Sequence, residues 1–431
     1  MMPEAKPPFL KRVHIENFKS IRHCDVELQP LTLLVGPNGS GKTNFLDALR
    51  FVRELLTRPP EEVIRVFGGT IEPFSFPAVF CQQPTQYEHA CSVDEFLEET
   101  IGSVEPLVVN LNVTLPSGET AEYSLELELM LSVREERCEV TDRSGESIAH
   151  YHVRRGEIIS NSLETPPPAF KDRPYLTSVA PFPPFDSVFQ SLQSMRFYSI
   201  QPDSIAKEAT TIHDFLASEG SGLASILGRI GQKRPIVKDR IDDYLRAVLP
   251  TLRESLLIPL PEISPMLDKT GKVREVRTNT NSWHVHFLFG DEDRGTIEFG
   301  PASMSDGTLH ALGVLVALFQ CRDLPAKSPI PLVAIEEPEA NLHPGAAEVL
   351  MDAMTEATSF TQVMATTHSP DFLDYPDLNP ESLLVFDASG GETVVAKADE
   401  ASMSAIRDKL YTAGELLRLD QLKPGTTTTP K

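Results

Sequence analysis

The stretch Gly36-Pro37-Asn38-Gly39-Ser40-Gly41-Lys42-Thr43 constrains this chain more than any other. It has the form Gly-x-x-x-x-Gly-Lys-Thr, and its context fits that motif. Leu31 to Val35 before it is nearly all apolar, as in a strand buried on both faces. After it Phe45, Leu46, Leu49, Val52 and Leu56 recur at helical spacing. Glycines let backbone N–H groups turn inward around phosphate oxygens, and the start of a helix adds the positive end of its dipole. Lys42 is expected to reach the β- and γ-phosphates, and the Thr43 hydroxyl to hold Mg²⁺. The expected fold is therefore α/β, a P-loop core with parallel strands, and the expected cofactors are ATP and Mg²⁺.

Three later segments fit the same chemistry. Leu332 to Ile335 is an apolar strand that delivers Glu336 and Glu337 to its C-terminal edge, where ligands sit in a parallel sheet. Glu336 suits the metal shell, and Glu337 suits orienting and polarising the attacking water. A solvated acidic turn is the plain alternative. Thr366-Thr367-His368-Ser369-Pro370 ends another apolar strand, and His368 there can hydrogen-bond the γ-phosphate. Ser303-Met304-Ser305-Asp306-Gly307-Thr308 leads into a helix carrying Leu309, Leu312, Leu315 and Val316. Ser305 and Gly307 at a helix start form a second anion site, although an ordinary N-cap would place the same residue types there. One chain cannot easily bring that turn to its own P-loop. A second subunit could, across a two-fold axis, giving two composite sites in a homodimer.

The rest of the chain divides by pattern. Residues 1–58 carry the first part of the nucleotide-binding head. Residues 59–190 read as a β-rich insertion with a Pro-rich connection: Leu107 to Leu115 and Tyr123 to Leu131 alternate about the turn Pro116-Ser117-Gly118. Residues 191–295 read as a helical lobe, mostly between about 190 and 260, followed by the alternating Trp283, Val285, Phe287 and Phe289. Residues 296–400 return to strand–helix units, and 401–431 end in a helix and a disordered tail. No heptad run continues through several repeats, so a long coiled-coil arm is not expected.

Bulk properties exclude some classes. The net charge of −23 argues against a surface coated for nucleic acid, though not against one basic stripe. Arg134, Arg137, Arg154 and Arg155 could form one, diluted by Glu135, Glu136 and Glu139. The five cysteines include no Cys-x-x-Cys, which fits a reducing cytosol. Met1 to Leu10 lacks the apolar stretch of a signal peptide, and no run approaches the roughly 18 residues of a membrane span. A cytoplasmic location without membrane contact is expected. His284 and His286 share one side of a strand, but no partner ligand is evident, so a solvated face is expected.

P-loop, short Ser-x-Gly signature, tandem acidic strand end and strand-end histidine, in that order, resemble the ABC-type ATPase head. The opening from Val13 to Leu28, with Asn17-Phe18-Lys19-Ser20, and the segments Glu336 to Pro344 and Thr366 to Leu373 are similar to the SMC, RecF and OLD lineage of predicted AAA-family ATPases. The resemblance covers about residues 10–58 and 296–400. It implies that Gly36, Asn38, Gly39, Ser40, Gly41, Lys42, Thr43 and Asn44 bind nucleotide, and that Lys19 approaches it. Ser305 and Gly307 would contact the γ-phosphate of the partner subunit, and Asn341, Leu342 and His343 would cross the dimer interface. Glu336 and Gln201 would serve Mg²⁺, Gln201 coupling it to the second lobe; Glu337, His368 and Lys42 would be catalytic.

The implied activity is ATP hydrolysis by a dimer that closes on two nucleotides as a switch. About 60 residues follow His368, too few for the Toprim nuclease domain of OLD proteins. The expected role is therefore regulation of a separately encoded nuclease or toxin in DNA repair or antiviral defence. Direct, RecF-like action on DNA is the alternative. An energising subunit of a transporter fits poorly, because Leu-Ser-Gly-Gly-Gln is missing. Two departures stand out: Glu336 where Asp is common, and Asp306 inside the signature. Both bear on turnover more than on binding.

Overall fold

The computed structural model describes residues 6, 9–67, 105–128, 131–206, 214–267, 273–291, 295–323 and 330–425. A six-stranded sheet runs in the order β16 (Glu392–Lys397), β15 (Leu383–Ser389), β3 (Leu31–Val35), β14 (Gln362–Thr367), β13 (Leu332–Glu336) and β9 (Arg196–Tyr198). All its neighbours are parallel except β15 and β16. Strands β3, β13 and β14 are almost wholly buried because both faces are covered. Leu34, Leu332, Ala334 and Met364 face one core with Phe45, Leu49 and Val52 of the helix Lys42–Thr57. Leu33, Val35, Val333, Ile335, Val363 and Ala365 face the other, with the helices Asp306–Phe319 and Pro344–Ala357.

Strands β1 (Leu10–Phe18) and β2 (Ile21–Glu27) belong to a second sheet, antiparallel and seven-stranded, in the order β2-β1-β4-β5-β6-β7-β8. Here β4 (Leu107–Thr114), β5 (Thr120–Glu128), β6 (Ser132–Thr141), β7 (Ser147–Arg154) and β8 (Glu157–Asn161) follow the P-loop helix in sequence. Because β1 pairs with both β2 and β4, strands from before and after that helix form one sheet. Alternation in β4 and β5 buries Leu107, Val109, Leu111, Tyr123, Leu125 and Leu127 on one face.

That core holds a fully buried carboxylate, Glu136. It accepts hydrogen bonds from Tyr123 Oη (3.2 Å), Tyr151 Oη (2.7 Å), Leu176 N (3.0 Å) and Tyr175 N. Burial pushes its pKa up, against those donors. Glu136→Gln sets an amide N–H against one of them. A loss of about 1–3 kcal/mol in a denaturant titration is expected.

The chain between the sheets is helical through Phe185–Gln193, Pro202–Ala206, Leu223–Lys233 and Pro235–Val248. It then departs from the sequence expectation. Helical character was expected to about residue 260, but Leu252–Leu267 is a strand, β10, paired antiparallel with β11 (Val273–Asp291). The run Leu256-Leu257-Ile258 is a short apolar stretch whose period does not separate helix from strand; it pairs with His286, Val285 and His284 of the next strand. Strand β12 (Gly295–Phe299) completes a three-stranded sheet. It supplies a carboxylate that spacing did not reveal: Glu298 Oε1 lies 2.6 Å from His286 Nδ1. Among the described residues, no helix is long and apolar enough to cross a membrane. The expected disordered tail falls mostly outside the described residues.

Candidate nucleotide site

Four neighbouring parallel strands, β3, β14, β13 and β9, end at one edge of the six-stranded sheet. Each delivers a predicted element there: β3 the glycine-rich loop, β13 Glu336 and Glu337, β14 His368, and β9 the segment leading to Gln201. Register fixes the heights, with Glu336 beside Thr366 and Thr367 beside Val35.

The loop turns into its helix through Gly39 (φ 79°) and Gly41 (φ 99°), both left-handed. Lys42 is buried, and its Nζ donates to the carbonyls of Gly36 (2.6 Å) and Pro37 (2.9 Å). Burial draws its pKa down, while Glu337 and Glu339 oppose that shift. Ser40 Oγ is buried without a hydrogen-bond partner. Thr43 Oγ1 donates to Glu336 Oε2 at 3.3 Å, so the two predicted metal ligands already face each other. Burial pushes the Glu336 pKa up, as does nearby Asp47, whereas Thr43 and Arg50 oppose it. A divalent cation between these oxygens would answer that charge. The hard-oxygen pair, the buried amine and the orphaned hydroxyl fit a magnesium-bound nucleotide.

Glu337 sits just past β13 with φ 45°, an uncommon conformation for a side chain of this kind. Its N–H is held by Thr366 O and Thr366 Oγ1, both at 3.1 Å. Its Oε1 lies 3.1 Å from His368 Nδ1. The predicted catalytic carboxylate and the predicted γ-phosphate sensor therefore meet directly, His368 exposed and Glu337 half-buried.

Gln201 lines a cavity of about 110 Å³ together with Asp47, Arg50, Glu219 and Glu336. Two predicted nucleotide contacts point elsewhere: Lys19 Nζ binds Asp47 Oδ2 at 2.7 Å, and Asn44 Nδ2 donates to Ser20 Oγ at 2.6 Å. The turn after β1 thus braces the P-loop helix.

Ser305 caps the helix Asp306–Phe319, its Oγ accepting from Thr308 N at 3.3 Å. Gly307 packs so closely on Asn341 that a Cβ there would collide with the Asn341 carbonyl oxygen. Ser305, Asp306, Asn341 and His343 are exposed and form one surface. Farther along that helix, His310 is buried against the backbone of Glu337, Pro338 and Ile200, and burial draws its pKa down. Gly313 packs on Ile200 and Ile205. One helix thus joins the signature turn to the acidic strand end and to the segment bearing Gln201.

Sequence reasoning missed three residues. Glu339 takes a hydrogen bond from Thr367 Oγ1, leaves Oε2 buried without a partner, and has its pKa raised by burial. Its signal was its place in Glu336-Glu337-Pro338-Glu339. Asp47 and Arg50 reach Glu336 from the P-loop helix; Asp47 follows Thr43 by four residues, hence on the same helix face. The four arginines form no free basic stripe. Arg137 and Arg154 bind Glu135, Arg155 binds Glu128 (2.7 Å), and Arg134 faces Glu126 (3.8 Å). Cross-strand pairing sets Arg154 opposite Glu135, whereas Arg134 lies at the β5–β6 bulge and Arg155 in the turn after β7.

Fold and site together define a P-loop NTPase of the ABC-head type. Residues 31–374 match the family described as "AAA domain, putative AbiEii toxin, Type IV TA system", and the chain belongs to that family. It is 39% identical over 80 residues to the chromosome partition protein Smc of Chlorobaculum tepidum, covering 16% of this chain and 7% of Smc. It is 49% identical over 43 residues to the OLD nuclease of Thermus scotoductus, covering 10% and 8%. It is 47% identical over 60 residues to the DNA replication and repair protein RecF of Porphyromonas gingivalis, covering 13% and 16%. The matches therefore span only a small part of those relatives. Among solved structures, the SMC head domain from Thermotoga maritima aligns over 90% of this chain and 98% of that one, with 15% identity and a TM-score of 0.40.

Proposed function

We propose that this chain is an ATPase that closes as a two-fold dimer on two ATP molecules and opens on hydrolysis. One observation carries the dimeric reading. The exposed Ser305–Gly307 turn is joined to its own Asn341, and among the described residues no hydrogen bond or ion pair links it to residues 36–43. A second copy would bring it to the triphosphate from the opposite side. Lys42 and the loop amides would hold the phosphates, Thr43 and Glu336 the Mg²⁺, and Gln201 would link that metal to the helical region. Mg²⁺, when bound, would neutralise phosphate charge. Glu337 would orient the attacking water, and His368 would sense the γ-phosphate from beside it.

The test is complementation in trans. Lys42→Ala and Ser305→Arg each disable both sites of their own homodimer. A mixed dimer keeps one intact site, formed by the Ser305→Arg chain's P-loop and the Lys42→Ala chain's signature. With random pairing, turnover is expected to return to about a quarter of wild type. No recovery on mixing, although mixed dimers form, would remove the composite site.

The proposed task is control of a separately encoded nuclease or toxin in DNA repair or antiviral defence, in the cytoplasm. The family description names a putative toxin and a Type IV TA system, which supports the toxin-system setting of this reading. The short match to RecF supports the alternative, direct action on DNA. DNA-stimulated turnover that weakens with salt would favour it. A pull-down of the neighbouring gene's product would favour the first.

A further inference from the structure

We infer that the β1–β2 hairpin carries a second cation site, built from His14, Glu16 and His23 and suited to Zn²⁺. Alternation along β1 sends Val13 and Ile15 into the core and His14 and Glu16 outward. The antiparallel register sets Glu16 opposite His23 and His14 opposite Asp25. Three donors of the zinc type therefore converge on one outer face, apart from the P-loop and its oxygen ligands.

Two of the three donor–donor distances fit a tetrahedral ion. His14 Nε2 lies 3.1 Å from Glu16 Oε1, and His23 Nδ1 lies 3.4 Å from the same oxygen. Bonds of about 2.0–2.1 Å at tetrahedral angles require donor–donor edges of about 3.3 Å. The donor atoms of all three residues lie within 4.8 Å of one another. The two imidazole rings stand edge to face with centroids 5.1 Å apart, an arrangement two ligands can adopt around one ion.

The surroundings add support behind the ligands. With Nε2 of His14 turned to Glu16, its Nδ1 faces Asp25 Oδ2 at 3.9 Å. Asp25 is held by Arg12 through two contacts of 2.6 Å, which keep its carboxyl pKa below the usual range. At 3.9 Å this carboxylate is no hydrogen-bond partner of the ring, but its fixed negative charge beside the imidazole favours a bound cation. The ligand side chains are 21%, 38% and 45% exposed, so a fourth, exchangeable position stays open to water. A cross-strand His–Glu pair alone explains one of these contacts but not the convergence of two imidazoles on one oxygen.

The experiment titrates Zn²⁺ into the full-length, chelator-stripped, nucleotide-free protein. One equivalent per chain is expected to bind, with His23→Ala and Glu16→Gln each weakening it at least tenfold. Co²⁺ in place of Zn²⁺ is expected to give the intense visible absorption of a tetrahedral ion, lost in His23→Ala. His150→Asn, on the same sheet, is expected to change neither reading. Zn²⁺ binding unaltered by His23→Ala and Glu16→Gln, or a Co²⁺ spectrum of the weak octahedral kind, overturns the site. Matching circular dichroism of the variants ensures that lost binding is not lost folding.

Discussion

Replacing Glu337 by glutamine is expected to lower ATP turnover by about 100-fold or more while ATP still binds. The amide keeps the size and reach of the carboxylate but cannot draw on a water proton. The metal-facing pair is left intact, because Thr43 and Glu336 meet without Glu337. Its backbone clamp is also untouched, since Thr366 holds the N–H rather than the side chain. A closed state that cannot hydrolyse its nucleotide should persist, so dimer is expected to accumulate in size-exclusion chromatography with ATP and Mg²⁺. Phosphate release gives the rate, and a fluorescent ATP analogue gives the affinity. Unchanged turnover in the glutamine variant would rule out Glu337 as the catalytic carboxylate. A large loss of affinity would point instead to a role in holding nucleotide.

Much of this site is legible in the sequence because its parts are strand ends. A strand buried on both faces reads as an apolar run, and the residue that follows it must emerge at the sheet edge. That logic located Gly36, Glu336, Glu337 and His368 without any knowledge of strand order. What it cannot supply is lateral contact. The meeting of Glu337 with His368 depends on β13 and β14 being neighbours, a pairing between segments separated by the helix Pro344–Ala357. The bracing of the P-loop helix by Lys19 and Ser20 depends on where β1 ends relative to Asp47 and Asn44. The strand from Leu252 escapes sequence reading for a related reason: a short apolar stretch fits helix or strand equally, and its pairing with β11 decides between them.

Gly41→Ala is expected to cost more than phosphate chemistry alone implies, and to separate two roles of the glycine-rich loop. Its φ of 99° lies where an L side chain is strained by about 1–3 kcal/mol. A Cβ there would also run into the side chain of Thr393, which is buried. Thr393 belongs to β16, and its hydroxyl lies 2.7 Å from Ser20 Oγ, so moving it disturbs the turn that holds Asn44. Together these predict a stability loss of about 2–4 kcal/mol in denaturant titration and a nucleotide affinity lower by about 100-fold. Gly39→Ala provides the contrast. Its φ is 79°, but a Cβ there meets nothing within 4 Å, so strain of about 1 kcal/mol is the whole expected loss. If the two alanine variants prove equally stable, the hairpin β15–β16 does not brace the loop. If Gly41→Ala alone is severely destabilised, the second glycine of the motif serves protein packing as much as phosphate. A sequence motif cannot reveal that, because the threonine it must clear lies some 350 residues away.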